Sequence, residues 1–316
     1  MSLDDSYLVY PHRRYGYDHD YYAWSMLQDR PPLRWPGNRP LALWINVSVQ
    51  VFPLNQRGVP FKPPNGMTMP YPDLRHYSLR AYGNRVGIYR VLGALDRARL
   101  RASLAINTEL VESAPQLFAH LCQRDDEFLC HGWNMDHPHY GGQDHDVEAA
   151  LIERSLLGLR KASGRAVRGW LSPGKVHSRN TPALLREHGV DFLADWVNDE
   201  LPYRFLASDE APPLYAMPLS TELEDQFVLC HNLHAERSWV EQVQDAHDAL
   251  VAEAEASGGG RLLTLNLHPW LLGQPHRIGY LEALLDWLAA AGTCWSATPS
   301  EILGCFRAQE VTNGGG

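Results

Sequence analysis

The chain has 316 residues, 45% hydrophobic and 21% charged, a balance that excludes disordered and fibrous classes and can bury a large core. Its 37 acidic against 28 basic residues give a formal charge of -9. No Lys/Arg run is present to face phosphates, so nucleic acid is excluded as an expected partner. No apolar run reaches the roughly 20 residues of a membrane span, and MSLDDSYLVYPHRR lacks a charged head followed by an apolar core. A cytoplasmic chain with no membrane partner is expected. Five cysteines, Cys122, Cys130, Cys230, Cys294 and Cys305, contain no CxxC, which argues against a disulfide framework or a cysteine zinc site.

Residues 1–40, rich in Tyr, Pro and Arg, read as an arm wrapping the main body or a neighbouring subunit, and a homo-oligomer is expected. From Leu41 onward short apolar runs alternate with amphipathic ones: LALWINVSVQVF then RVGIYRVLGALDRA, ASLAIN then PQLFAHLCQR, EFLCH then DVEAALIERSLLGLRKA. VRGWLS, TPALLREHG, DFLAD, LYAMPLS, a helix over 238–255, LLTLNLH, YLEALLDWLAAAG, TCWSAT and PSEILGCF continue the series. About eight short strands, buried in pattern and separated by helices, predict a parallel sheet. No glycine-rich dinucleotide fingerprint follows a strand, so the expected fold is α/β, a distorted (β/α) barrel of about 7–8 parallel strands over 41–307, with a tail over 308–316.

Barrel chemistry gathers at the C-terminal strand ends. Those ends carry Asn46, Ser48 and Gln50, then Asn107, His131, Ser172, Asp195 and His268. Repeated polar endings on apolar runs predict one polar cup. The segment HGWNMDHPHYGGQDH holds four histidines, but its spacing does not converge as zinc ligands do. His137, His139 and His145 therefore read as solvated loop residues, and His131 as a pocket residue.

The ordered motifs AYGNRVGIYRVL (81–92), CHGW (130–133), RGWLSPGK (168–175), ADWVNDELPY (194–203) and LNLHPWLLGQPHR (265–277) resemble the NodB-type polysaccharide deacetylase superfamily. More narrowly they are similar to its metal-independent allantoinases and cyclic imide hydrolases. The resemblance spans about Arg39 to Glu301 and implies hydrolysis of a non-peptide carbon–nitrogen bond. Where metal-dependent members place paired carboxylates, INVSVQ offers Asn46, Ser48 and Gln50, and Met135 stands where they have a second histidine. A thioether is a poor partner for zinc among oxygens and imidazoles. No metal and no cofactor are expected.

Arg85, in YGNRVG, is a position the resemblance singles out; its guanidinium reads as a two-point clamp on a carbonyl or carboxylate, with a surface ion pair as the alternative, and Tyr82 goes with it. The long connection over 53–82 reads as a lid. Trp133, Trp170, Trp196 and Trp270 fall beside strand ends and predict an apolar wall around Ser172, Asn198 and the histidines. His268 is the candidate general acid or base. Asp195 and Asp199 flank Trp196 and Asn198, and one of the two reads as orienting a histidine or binding a ligand NH, with Asp199 read equally as a solvated loop acid. Ser172 lies in LSP, outside a nucleophile elbow, and reads as a hydrogen-bonder.

The expected function is hydrolysis of a small cyclic amide, an imide or ureide, by water, with His131, His268 and Arg85 catalytic and Asn46 and Gln50 matched to alternating NH and C=O groups. A metal-dependent amino-sugar de-N-acetylase and a catalytically silent binding protein of the same fold remain the alternatives.

Overall fold

The computed structural model describes His19 and residues 21–56, 72–207 and 211–313. Most of the arm before Tyr21, and residues 57–71 of the expected lid, lie outside the described residues.

Among the described residues nine strands form one curled sheet: β1 (Leu41–Val49), β2 (Ala102–Ile106), β3 (Glu127–Cys130), β4 (Gly169–Trp170), β5 (Phe192–Leu193), β6 (Tyr203–Arg204), β7 (Tyr215–Ala216), β8 (Arg261–Leu267) and β9 (Cys294–Ser296). The order is β6-β7-β5-β4-β3-β2-β1-β8, with β9 pairing the start of β1. All pairings are parallel except β6 with β7. The eight runs read from the sequence all contribute a strand. The antiparallel β6 lacks that signal, because Tyr203–Arg204 follows the polar stretch NDELP and not an apolar run.

Among the described residues the sheet curls without closing by backbone pairing. Side chains bridge the gap between β7 and β8: the Ser220 amide donates to Thr264 Oγ1 at 2.8 Å, and Asn266 Nδ2 donates to Glu224 Oε1 at 3.0 Å. This open seam brings the loop after β7 over the mouth.

Period-two alternation sorts the strand residues between two layers. Leu41, Leu43, Ile45, Val47 and Val49 of β1 join Leu263, Leu265 and Leu267 of β8 in the outer core, under the helices. Ala42 and Trp44, with Leu262, Leu129 and Phe192, fill the barrel interior. Along β1 the inward series runs Ala42, Trp44, Asn46, Ser48, Gln50; along β8 it runs Leu262, Thr264, Asn266, His268. Both change from apolar to polar toward the C-terminal end. That gradient makes the floor of the cup.

Helices 145–163 and 278–291 both end at a left-handed glycine, Gly164 and Gly292, a position that costs other residues a Cβ clash. The arm docks on the body: Arg30 pairs with Asp199 at 2.7 Å, and Trp35 is buried with its indole on the Arg261 carbonyl at 2.8 Å. Asp199 is therefore an arm anchor. Helix Pro299–Asn313 runs through residue 307, where the tail was expected to begin. Among the described residues no helix is long and apolar enough to cross a membrane.

Candidate active site

Strand register builds the floor. Asn46 lies level with Ser103 of β2 and Asn266 of β8, so three polar side chains form a row across neighbouring strands. Ser103 Oγ donates to Asn46 Oδ1 at 2.8 Å, and Asn46 Nδ2 donates to Asn266 Oδ1 at 2.8 Å. One level up, Ser48 Oγ donates to the same Asn266 oxygen at 2.9 Å. These bonds remove the cost of burying amides and fix the rotamers above them.

Above this row is a cavity of about 330 Å3 lined by Ser48, Gln50, Phe52, His131, Met135, Lys175, Glu224 and His268, among others. Its charged side comes from the loop after β7. Asp225 Oδ1 lies 2.6 Å from His268 Nδ1, and Asp225 Oδ2 accepts the His268 amide at 2.8 Å. His268 Nε2 faces Glu224 Oε1 at 3.4 Å, and Lys175 Nζ holds Glu224 Oε2 at 3.0 Å. Burial alone would raise the Glu224 carboxyl, but Lys175, His268 and hydrogen bonds from Lys175 and Asn266 outweigh it and hold it below the usual carboxylate range. Burial pushes Asp225 up, against the pull of His268. A proton taken by the His268 ring therefore has a carboxylate on each side.

His131 faces the opposite wall. Its Nδ1 lies 2.7 Å from the Leu171 carbonyl, which accepts only, so Nδ1 carries the hydrogen and Nε2 keeps its lone pair. Gln50 Nε2 approaches that lone pair at 3.5 Å, while Gln50 Oε1 has no hydrogen bond among the described residues. Burial first, then the neighbouring His268 and Lys175, bring the His131 pKa down to about 4. The ring is neutral at physiological pH, and Nε2 is an acceptor.

The expected site residues divide. His131, His268 and Gln50 share the cavity. Asn46 lies beneath it, both ends of its amide spent on Ser103 and Asn266. Ser172 is behind the wall, accepting from Trp170 Nε1 at 2.9 Å. Arg85 sits exposed on a π-helical turn, Gly83–Gly87, outside the cavity lining. Tyr82 and Trp270 line a neighbouring cleft of about 520 Å3; the Tyr82 hydroxyl accepts from Arg90 at 2.5 Å, and Trp270 stacks under Arg80 at 3.6 Å. Trp133 lies under Arg154 at 3.5 Å and Trp170 is fully buried in the core. Trp196 joins a ring cluster with Tyr21, Tyr22, His177 and Phe205. Asn198 accepts from Tyr203 and lines a separate cleft of about 880 Å3 against the arm. The four tryptophans thus do not form one wall.

His139 corrects a reading. It is fully buried, 3.5 Å from the buried Glu148 and packed on Trp170, because the loop after β3 folds inward over the helix start at His145. His137 is half-buried and His145 exposed. Sequence reasoning missed Lys175, Glu224, Asp225 and Asn266. Asn266 stands two residues before His268 on the same strand, the period-two signal that would have found it.

The donor set does not fit the metal of the wider superfamily. Where a dication needs anionic oxygens and a second imidazole, the wall around His131 supplies the Ser48 hydroxyl, the Gln50 amide and the Met135 thioether. Among the described residues no group of three or more His, Cys, Asp or Glu converges to hold a metal ion.

A curled parallel sheet with titratable groups at its C-terminal rim defines a barrel-type scaffold of the kind that carries its chemistry at that rim. Residues 82–193 match the polysaccharide deacetylase family model. A Schizosaccharomyces pombe protein assigned as a polysaccharide deacetylase is 25% identical over 262 residues, 76% of this chain and 80% of its own. In fold the chain is similar to PuuE allantoinase, with a TM-score of 0.77 and 21% identity over 89% of this chain and 94% of that one. It is also similar to a Pseudomonas aeruginosa PAO1 protein assigned as a polysaccharide deacetylase, with a TM-score of 0.74 and 22% identity over 88% and 95%. The match to the polysaccharide deacetylase family model is confined to residues 82–193, and the likeness to the two solved structures is one of fold.

Proposed function

We propose that this chain hydrolyses a non-peptide carbon–nitrogen bond in a small cyclic amide, an imide or ureide, without a metal ion. One observation carries the reading: the primary amide of Gln50, with Oε1 unspent, faces the Glu224–His268–Asp225 group across a cavity of about 330 Å3. An amide both donates and accepts, which suits a ring with alternating NH and C=O groups. A cavity this size suits a small ligand. PuuE, solved as an allantoinase, is compatible with this substrate class.

In this reading Gln50 and Ser48 orient the ring, and His131 Nε2 accepts a hydrogen bond from the attacking water. Water adds to the carbonyl carbon and gives its proton to the Glu224–His268 pair. The carbon–nitrogen bond then breaks, and the leaving nitrogen takes that proton from His268 Nε2. The product is an open chain with one new carboxyl group, which then loses its proton to solvent. Arg85, expected to polarise the carbonyl, is outside the cavity lining, and the Gln50 Nε2 donor takes that place.

The test is a panel of imides, hydantoins, ureides and N-acetyl amino sugars, assayed with and without chelator. Ring opening that survives chelation is expected. Deacetylation of the amino sugars alone, abolished by chelator, would overturn the reading in favour of the metal enzyme; saturable binding without turnover would favour the silent binder.

A further inference from the structure

We infer that Asp195 is a positioning residue for His131, acting through the peptide unit between Leu171 and Ser172. The inference rests on the proposed role of His131 as the hydrogen-bond acceptor that holds the attacking water. The Leu171 carbonyl and the Ser172 N–H are the two ends of one planar amide. The carbonyl accepts from His131 Nδ1 at 2.7 Å, and the N–H donates to Asp195 Oδ1 at 2.7 Å. Carboxylate, peptide and imidazole are thus joined in one line of hydrogen bonds.

The location explains why a side chain is needed. Backbone pairing of β4 with β5 ends at Trp170 and Leu193, followed by the Ala194 amide on the Trp170 carbonyl at 2.9 Å. The Ser172 amide lies one step beyond. Asp195, the residue after Ala194, extends the ladder by its carboxylate. An amide whose N–H is bonded to an anion is a stronger acceptor at its carbonyl, and in a dry interior this polarisation is little screened. His131, Leu171 and Asp195 are all buried. The line therefore holds the hydrogen on Nδ1 and leaves the Nε2 lone pair toward Gln50 and the cavity.

The other carboxylate oxygen, Oδ2, makes no hydrogen bond among the described residues. His177 Nδ1 faces it at 3.8 Å, and His139 is the second titratable neighbour. His177 thus faces Oδ2, and Oδ1 is left to the peptide.

The experiment is long-range 1H–15N NMR of histidine-labelled protein, with the His131 signals assigned by their loss in His131→Gln. It reads protonation of each ring nitrogen without substrate, so its outcome is independent of the proposed reaction. Wild type is expected to show His131 as the Nδ1–H tautomer. Asp195→Asn keeps an acceptor oxygen and loses the charge; a minor Nε2–H population is expected. In Asp195→Ala that population grows, and kcat on whichever amide is turned over falls about tenfold with little change in KM. The inference is overturned if Asp195→Ala, or Asp195→Asn where the alanine variant fails to fold, merely melts lower while the His131 nitrogen shifts stay at their wild-type values.

Discussion

Lys175 Nζ lies 3.0 Å from Glu224 Oε2, and its remaining contacts are all oxygens: the Leu219 carbonyl at 3.0 Å, the Ser220 carbonyl at 3.3 Å and Thr221 Oγ1 at 3.1 Å. The ammonium therefore ties the loop after β7 to the end of β4 while keeping Glu224 ionised beside His268. One cation serves both the seam of the sheet and the charge of the site.

Removing that cation leaves a buried carboxylate uncompensated. Lys175→Met is expected to cost about 3–5 kcal/mol, and the double variant with Glu224→Gln should recover much of it. The pH dependence follows from the Glu224 shift. In wild type its folded pKa is depressed, so its contribution is present above the unfolded value and is lost as pH falls through the folded one. Without Lys175 burial prevails, and Glu224 then destabilises increasingly as pH rises. Urea unfolding at pH 5 and pH 8 reads both effects; a Lys175→Met loss that Glu224→Gln does not reduce would refute the pairing.

His131 sets a second pH window. Burial places its folded pKa at about 4, below the ordinary 6.5. Between those values the unfolded chain binds more protons, so stability falls as pH drops from 6.5 toward 4, by about 3 kcal/mol in all. His131→Asn removes the titration, and the slope of unfolding free energy against pH should flatten across that window. An unchanged slope would mean that the ring titrates alike in both states.

Two glycines in the recognised motifs act by close backbone approach. A Cβ on Gly87 would lie 2.0 Å from the Pro269 carbonyl oxygen, and one on Gly273 would lie 2.3 Å from Gly87 Cα. The π-helical turn of YGNRVG is thereby seated on HPWLLG, the segment that starts at His268. Gly87→Ala should cost about 1–3 kcal/mol and displace Pro269. Gly93→Ala, on an open helix surface with no atom within 4 Å, should instead stabilise by up to about 1 kcal/mol. Thermal melts of the pair decide it, and equal effects would show that the contact yields at no cost.

This contact also shows where the sequence was readable. Long strands such as β1 and β8 declare themselves by period two, and the drift from Trp44 to Gln50 marks the cup in the residues alone. Glu224 and Asp225 follow a two-residue strand and sit in TELEDQF, which has the look of a solvated acid cluster; only the open seam between β7 and β8 turns them inward. His139 lies among Pro and Gly, and its burial depends on Glu148 and Trp170, which are distant in sequence or on another element. Arg85 drew attention as the charged member of YGNRVG, whereas Gly83 and Gly87 make that motif's close contacts.

The last prediction follows from the neutral wall around His131. Ser48, Met135 and His131 line one cavity, so an acid and a second imidazole placed at the first two positions would face the existing Nε2 lone pair. Ser48→Asp with Met135→His is therefore expected to raise zinc affinity at least about tenfold over wild type in calorimetric titration near neutral pH, because anion and imidazoles together offset dehydration of the dication. Either substitution alone should do little: the Ser48→Asp carboxylate without a second ring lacks a further nitrogen donor, and two rings without an anion leave the charge uncompensated. Purified wild-type protein should carry no stoichiometric zinc by elemental analysis, and its amide-opening activity should persist in chelator. One equivalent of transition metal held by the wild-type cavity and lost in His131→Gln would sink this account of the wall.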